Sequence, residues 1–242
     1  MAFMHIVEPM SQRYVFTPPS IVGVPVVGTD EHLPVHRIYC VGRNYAEHAK
    51  EMGFSGREDP FFFIKPADTL VVAAEQAPAT IDYPTLTQNL HHEVELVVAV
   101  GRAGRNIAAT DAHHHIFGYA VGLDMTRRDL QNEMKKQGRP WCIGKSHEQS
   151  APIGWITPAA KLDHLPAAAI ELSVNGEQRQ SSHIHQLIWN VGEIIEHLSR
   201  AWTLQAGDLI FTGTPEGVGP VVRGDRLQAR VDGLTGLDLR IA

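Results

Sequence analysis

Two glutamates, Glu93 and Glu95, open the run Glu93-Val94-Glu95-Leu96-Val97-Val98-Ala99-Val100. The apolar, β-branched stretch that follows them reads as a strand entering the core. Alternate strand residues face the same way at about 3.3 Å per residue, so the two carboxylates project from one face roughly 7 Å apart. Like charges so placed repel and resist desolvation unless a cation or a basic partner lies between them. Asp124 closes the next strand pattern, residues 118–123, just before a helix. Three carboxylates and no cysteine suit a hard ion such as Mg²⁺ or Mn²⁺, with waters completing its shell. Spacing alone leaves the plainer alternative open, because a Glu-x-Glu pair on an edge strand is more often a solvated face.

A second pair could activate water. On a short helix after Asn44, with Glu47 placed to close a capping box and Gly53 to stop it, His48 and Glu51 are neighbours on one face. A carboxylate beside an imidazole orients it and raises its basicity, as a general base requires. The same residues also fit an ordinary surface helix bearing Glu47, His48, Lys50 and Glu51. Gly42 and Gly53 on either side would let such a helix hinge as a lid.

Other polar residues have less definite settings. Lys145 lies in Trp141-Cys142-Ile143-Gly144-Lys145-Ser146, where it either faces a site or snorkels from a strand end. Gln131 follows Asp124 by seven residues, on the first turns of the next helix. His91 and His92 invite a zinc reading, but they lie on a strand-like stretch rather than a helix, which disfavours it. His113-His114-His115 reads as a polar helix surface. The loop Thr212-Gly213-Thr214-Pro215-Glu216-Gly217-Val218-Gly219 lacks the Gly-Lys-Ser/Thr ending of a P-loop and opens no helix. It reads as a tight turn presenting backbone donors and Thr214 to a carboxylate.

The elements that must hold these groups are mostly strands. Arg37-Ile38-Tyr39-Cys40-Val41 and Phe61-Phe62-Phe63-Ile64 read as short buried strands, and 171–174 turns at Asn175-Gly176. Leu209-Ile210-Phe211 and two C-terminal segments complete the series. Thr126 is placed to cap a helix over 127–137, stopped by Gly138. Leu187, Ile188, Val191, Ile194, Ile195 and Leu198 form the apolar side of another helix. Strands and helices do not alternate regularly, so the expected class is α+β dominated by strands. An extended appendage over residues 1–35 is expected to precede one unit over 36–242.

Composition narrows the function classes. A net charge of −6, with no compensating Lys/Arg cluster, argues against a nucleic-acid partner. Only Cys40 and Cys142 occur, so no disulfide framework is implied and a reducing cytoplasm is the expected setting. Residues 1–10 have neither a basic start nor an apolar stretch, so no secretory signal is expected. No apolar run approaches the about 18 residues of a membrane span, so no membrane partner is expected either.

Several blocks in one order resemble the fumarylacetoacetate hydrolase family across residues 38–222. They are Gly42-Arg43-Asn44-Tyr45 with His48, then Phe61-Phe62-Phe63-Ile64-Lys65-Pro66, then Glu93-x-Glu95. Gly122-Leu123-Asp124-Met125-Thr126 with Arg128, Asp129 and Gln131 follows, then Lys145-Ser146, then the glycine-rich loop running from Thr212 through Pro220. The resemblance implies a fold of rolled, layered mixed sheets, a homodimer, and Mg²⁺ or Mn²⁺ held by Glu93, Glu95 and Asp124. It implies a water-activating dyad of His48 and Glu51 on a lid. Lys145 and Gln131 are then candidate oxyanion donors, and Arg43, Tyr45, Arg128 and Thr214 candidate substrate contacts.

Within the family the chain most resembles short bacterial hydrolases of gentisate-type aromatic degradation, which act on fumarylpyruvate or maleylpyruvate, small diketo acids. Oxaloacetate decarboxylases and hydroxymuconate-type isomerases share such sites, and a non-catalytic small-acid binder is the alternative of another class. The His48/Glu51 pair favours hydrolysis, since decarboxylation chiefly needs the metal as electron sink.

Overall fold

The computed structural model describes residues 13–47, 57–73, 77–162 and 165–242. Strands dominate, as the sequence implied, and form curled mixed sheets. The largest has eight strands, in the order Phe61–Lys65, Ile38–Gly42, Leu209–Phe211, Val94–Val100, Ile116–Leu123, Ala151–Ile153, Leu70–Val72, with Thr157–Pro158 also paired to Ile116–Leu123. A five-stranded sheet runs Glu177–His183, Ala169–Val174, Arg226–Val231, Leu237–Ile241, Ala79–Ile81.

Hydrophobic patterning explains how the two layers meet. Every residue of Val94–Val100 is buried. Val97 and Ala99 pack with Ile38, Cys40, Leu209 and Phe211, whereas Val94 and Leu96 pack against Leu227, Ala229 and Val231 of the five-stranded sheet. A strand covered on both faces needs an unbroken apolar run, and 96–100 supplies one. Arg226–Val231 is covered on one face only, so it alternates, with Arg226, Gln228 and Arg230 exposed.

Local details depart from expectation in places. The strand expected to begin at Glu93 begins one residue later, at Val94, and the preceding Leu90–His92 is a separate strand paired with Thr126–Arg127 and Gly219–Val221. Thr126 does not cap the helix Arg128–Gln137: its hydroxyl donates to Asp124 O at 3.0 Å, and the helix has no side-chain cap. Its end is as expected, on Gly138 at φ 63. The second helix, Val191–Ala201, starts after Leu187 and Ile188, because Asn190 and Glu193 form its capping box. Asn44, read as a helix cap, is buried and clamps two loops; the helix expected to follow it falls largely outside the described residues. Asn44 Nδ2 donates to Trp189 O and Thr212 O at 3.0 and 2.8 Å, and its Oδ1 accepts from Trp189 N–H at 2.8 Å.

The Asn175-Gly176 turn joins Ala169–Val174 to Glu177–His183 with φ of 53° and 83°, as a primed hairpin turn requires. His113 and His114 are exposed on the short 3₁₀ turn Ala112–His115, in line with a polar surface. Val24, Val26, Leu33 and Val35 pack with Ile38 and Val97, while Tyr14, Val15 and Phe16 lie exposed. Among the described residues, no helix is long and apolar enough to cross a membrane.

Candidate active site

The ends of two paired strands bring the carboxylates together. Glu95 lies opposite Gly122 and Val94 opposite Leu123 in the antiparallel register, and Asp124 N–H donates to Glu93 O at 2.9 Å. Glu93, Glu95 and Asp124, all buried, each contribute a carboxylate oxygen lying within 4.8 Å of the other two. Oxygens sharing one cation at about 2.1 Å are at most about 4.2 Å apart, so small side-chain movements close this set on an ion. Asp124 Oδ1 is ion-paired with Lys65 yet accepts no hydrogen bond among the described residues. An all-oxygen, acidic, buried donor set with an under-used lone pair fits a hard divalent cation.

Three basic groups surround these carboxylates. Lys145 Nζ lies 2.6 Å from Asp124 Oδ2 and 2.8 Å from Glu93 Oε2. Lys65 Nζ lies 2.9 Å from Asp124 Oδ1, and Arg128 Nη2 donates to Glu93 Oε1. Burial opposes the Lys145 ammonium, but the charges of Asp124 and Glu93 outweigh it and hold its pKa above the usual value. The two carboxylates thus favour its ammonium form in the metal-free site. Burial, then the charges of Asp124 and Glu93, push Glu95 well above the usual carboxylate range, against the pull of Lys145 and of Gly213 N–H at 2.8 Å.

Glycines permit two of these approaches. A Cβ on Gly144 would lie 2.8 Å from Gln131 Cβ, so glycine lets the short helix Cys142–Lys145 pack directly against Arg128–Gln137. Lys145 and Gln131 thereby share one cleft. Gln131 Oε1 accepts from Arg128 Nη1 at 2.5 Å, which leaves its Nε2 to donate elsewhere. Gly213 sits at φ 97 with Asn44 Cβ only 2.7 Å from where its own Cβ would be, and this tight path aims its N–H at Glu95.

Eight of the residues singled out from sequence line that cleft: Arg43, Glu93, Glu95, Asp124, Arg128, Gln131, Lys145 and Thr214. Arg43 adopts a left-handed φ of 57°, uncommon outside glycine, and places its guanidinium 5.0 Å over the Phe61 ring. An adjoining apolar cavity shares Arg43, Phe63 and Trp141 with the cleft. Tyr45 is not a lining residue. It is buried in the core, and its hydroxyl has no hydrogen-bond partner among the described residues. His48 and Glu51 lie outside the described residues.

The histidines beside the carboxylates do not join them. His91 meets Asn89 Oδ1 and the Arg128 guanidinium at 2.9 and 3.4 Å, and burial followed by Arg128 holds its pKa down to about 4. His92 faces Gln180 Oε1, with its pKa also lowered by burial. Lys65, the buried ion-pair partner of Asp124, is the residue of this cluster that residue-by-residue reading passed over. The signal was there, since a lysine ending the apolar strand Phe61–Lys65 needs a buried anion.

Residues 37–242 match the family model described as "Fumarylacetoacetate (FAA) hydrolase C-terminal". The chain belongs to the fumarylacetoacetate hydrolase family. A family member from Ralstonia sp., named fumarylpyruvate hydrolase, is 47% identical over 184 residues, covering 76% of this chain and 93% of its own length. A mitochondrial oxaloacetate tautomerase of Mus musculus is 42% identical over 204 residues, covering 84% and 90%. In three dimensions the chain is similar to fumarylpyruvate hydrolase from Pseudomonas aeruginosa, crystallised with Mn²⁺ and pyruvate. The TM-score is 0.93 at 52% identity, over 95% of this chain and 99% of that one. Family members include both hydrolases and tautomerases, so membership establishes an enzyme family and leaves the reaction to the site.

Proposed function

We propose that this chain is a metal-dependent hydrolase that splits an acylpyruvate, fumarylpyruvate or maleylpyruvate, into pyruvate and a dicarboxylic acid. One observation carries the reading. The carboxylates Glu93, Glu95 and Asp124 share a cleft with Lys145, Gln131, Arg128 and Arg43, in a chain 52% identical to one crystallised with Mn²⁺ and pyruvate.

Glu93, Glu95 and Asp124 would hold Mg²⁺ or Mn²⁺, which when bound supplies a Lewis acid for the 2-oxo acid end of the substrate. Arg43 and Thr214 hold the substrate's carboxylates, with Arg43 suited to a bidentate grip. His48, oriented by Glu51, takes a proton from water, whose oxygen attacks the distal acyl carbonyl. Lys145 and the Nε2 of Gln131 donate to the oxyanion that forms. Collapse of that adduct breaks the bond between the acyl carbon and C3 of the pyruvate unit. The electron pair stays on C3, which then takes up a proton. The working protein is a cytoplasmic homodimer acting in gentisate-type aromatic breakdown, with its catalytic unit over residues 36–242.

Keto–enol conversion of oxaloacetate is the second reading, favoured by the 42% identity to a tautomerase over 84% of this chain. The two are separated by following diketo-acid absorbance with fumarylpyruvate, maleylpyruvate, acetylpyruvate and oxaloacetate, each with Mg²⁺ and with chelator. Rapid, chelator-sensitive loss of an acylpyruvate with release of pyruvate supports the hydrolase. Turnover of oxaloacetate alone would replace it with the second reading.

A further inference from the structure

Gln180 lies on a different sheet from every residue given a role above. It sits within the edge strand Glu177–His183, between the exposed Arg179 and Ser181, and its side chain is fully buried. All four positions of its amide are filled. Oε1 accepts from Val94 N–H at 3.0 Å and meets His92 Nδ1 at 3.0 Å. Nε2 donates to Thr214 Oγ1 at 2.8 Å and to Pro215 O at 2.9 Å. One side chain therefore ties the peptide between Glu93 and Glu95 to the loop that carries Thr214.

The directions of these bonds are fixed by chemistry. A backbone N–H only donates and a carbonyl oxygen only accepts, so Val94 and Pro215 together decide which end of the amide is oxygen. Thr214 Oγ1 must then be an acceptor towards Gln180. Its own proton is left to point elsewhere, and Thr214 lines the cleft of the carboxylates. A threonine hydroxyl alone can present either a proton or a lone pair. With one lone pair taken by Gln180, it has its proton and one further lone pair to offer, and an anionic oxygen selects the proton.

We infer that Gln180 is a positioning residue that commits the Thr214 hydroxyl to donating a hydrogen bond to a carboxylate oxygen of the bound substrate. This rests on the reading that Thr214 touches that carboxylate. The amide acts through Thr214 and touches no substrate itself. Because it also grips Val94 N–H, it fixes the distance between the donating hydroxyl and the Glu93–Glu95 pair.

The test is a double-mutant cycle on pyruvate binding to the Mn²⁺-loaded protein, read by calorimetry, with Mn²⁺ affinity and melting temperature measured alongside. Gln180→Met removes the donated bond, and Thr214→Val removes the hydroxyl. Each is expected to weaken pyruvate binding about tenfold, the size of one hydrogen bond to a charged group. The double variant is expected to be no weaker than either single one, and Thr214→Ser to restore wild-type binding. A merely structural role for Gln180 would lower the melting temperature while leaving the cycle additive, with the double variant about a hundredfold weaker. That additive result overturns the proposal, as does a Gln180→Met protein that binds pyruvate normally while Thr214→Val does not. If Thr214→Val itself binds normally, the underlying reading of Thr214 falls, and the proposal with it. Gln180→Asn, whose shorter amide cannot span to Thr214, repeats the test if the methionine variant fails to fold.

Discussion

Replacing Lys65 by methionine tests whether the basic cage is needed to bury the carboxylates. The Lys65 side chain is fully buried, with Nζ 2.9 Å from Asp124 Oδ1, itself almost wholly buried. Nζ also donates to Lys145 O, to Ser150 O at 3.0 Å and to Met125 O at 3.4 Å. Methionine keeps the length but removes the charge and all three donated bonds. Removing one partner of a buried ion pair costs about 3–5 kcal/mol, because the other charge is left uncompensated. Lys145, 2.6 Å from Asp124 Oδ2, still neutralises part of it, and the carbonyls of residues 145 and 150 keep Ser150 Oγ and Met125 N–H as donors. For a chain of this size, about 1 kcal/mol lowers the melting temperature by about 2–4 °C, so a fall of roughly 6–20 °C is expected. Thermal unfolding followed by circular dichroism in chelator measures it. Saturating Mn²⁺ is expected to narrow the gap, since the cation replaces the charge missing beside Asp124. A variant melting within 3 °C of the parent in chelator would refute this reasoning.

Three further outcomes are expected. Glu95→Gln is expected to weaken Mn²⁺ binding at least tenfold by calorimetry. Folded Glu95 keeps its proton to higher pH than in the unfolded chain, so in chelator stability falls as pH rises above the usual carboxylate range, and Glu95→Gln flattens that fall. His147 is the opposite case: burial first, then the charge of Lys65, depresses its pKa to about 3. The unfolded chain binds the extra proton between about pH 6.5 and 3, so stability is lost as pH falls through that window. Denaturant titrations are expected to show this slope, reduced in His147→Gln by at most about 1.4 kcal/mol per pH unit. His48→Ala is expected to retain Mn²⁺ affinity while hydrolysis drops about 10²- to 10⁴-fold, the usual contribution of a general base. Near-normal turnover by that variant would assign water activation to another group.

Much of this architecture is legible in the sequence, for identifiable reasons. An unbroken apolar run such as 96–100 has one comfortable place, a strand covered on both faces, and the run itself fixes where Glu95 emerges. Asp124 is legible because a carboxylate directly after a buried strand must surface into a polar site. The Glu93 break is not legible, since it depends on Leu90–His92 pairing with two distant short strands. Thr126 shows the same limit: a threonine before a helix reads as a cap, but here its hydroxyl is claimed by Asp124 O. Tyr45, within a motif that points to the site, is held in the core by packing that no local pattern encodes. Gln180 stands in the polar run Glu177-Gln178-Arg179-Gln180-Ser181-Ser182-His183, where nothing distinguishes one glutamine from the other. Only the sheet's strand register turns the second one inward.

One titration tests most directly whether Glu93, Glu95 and Asp124 hold the metal that the proposed acylpyruvate cleavage needs. Metal-stripped protein should be titrated with Mn²⁺ while pyruvate release from fumarylpyruvate and metal binding are measured on the same samples, beside Asp124→Asn. The expected result is no release without metal, activity rising in step with occupancy to a plateau at one ion per chain, and neither binding nor release in the variant. Pyruvate release that persists in chelator, or that survives in Asp124→Asn without bound Mn²⁺, would contradict it.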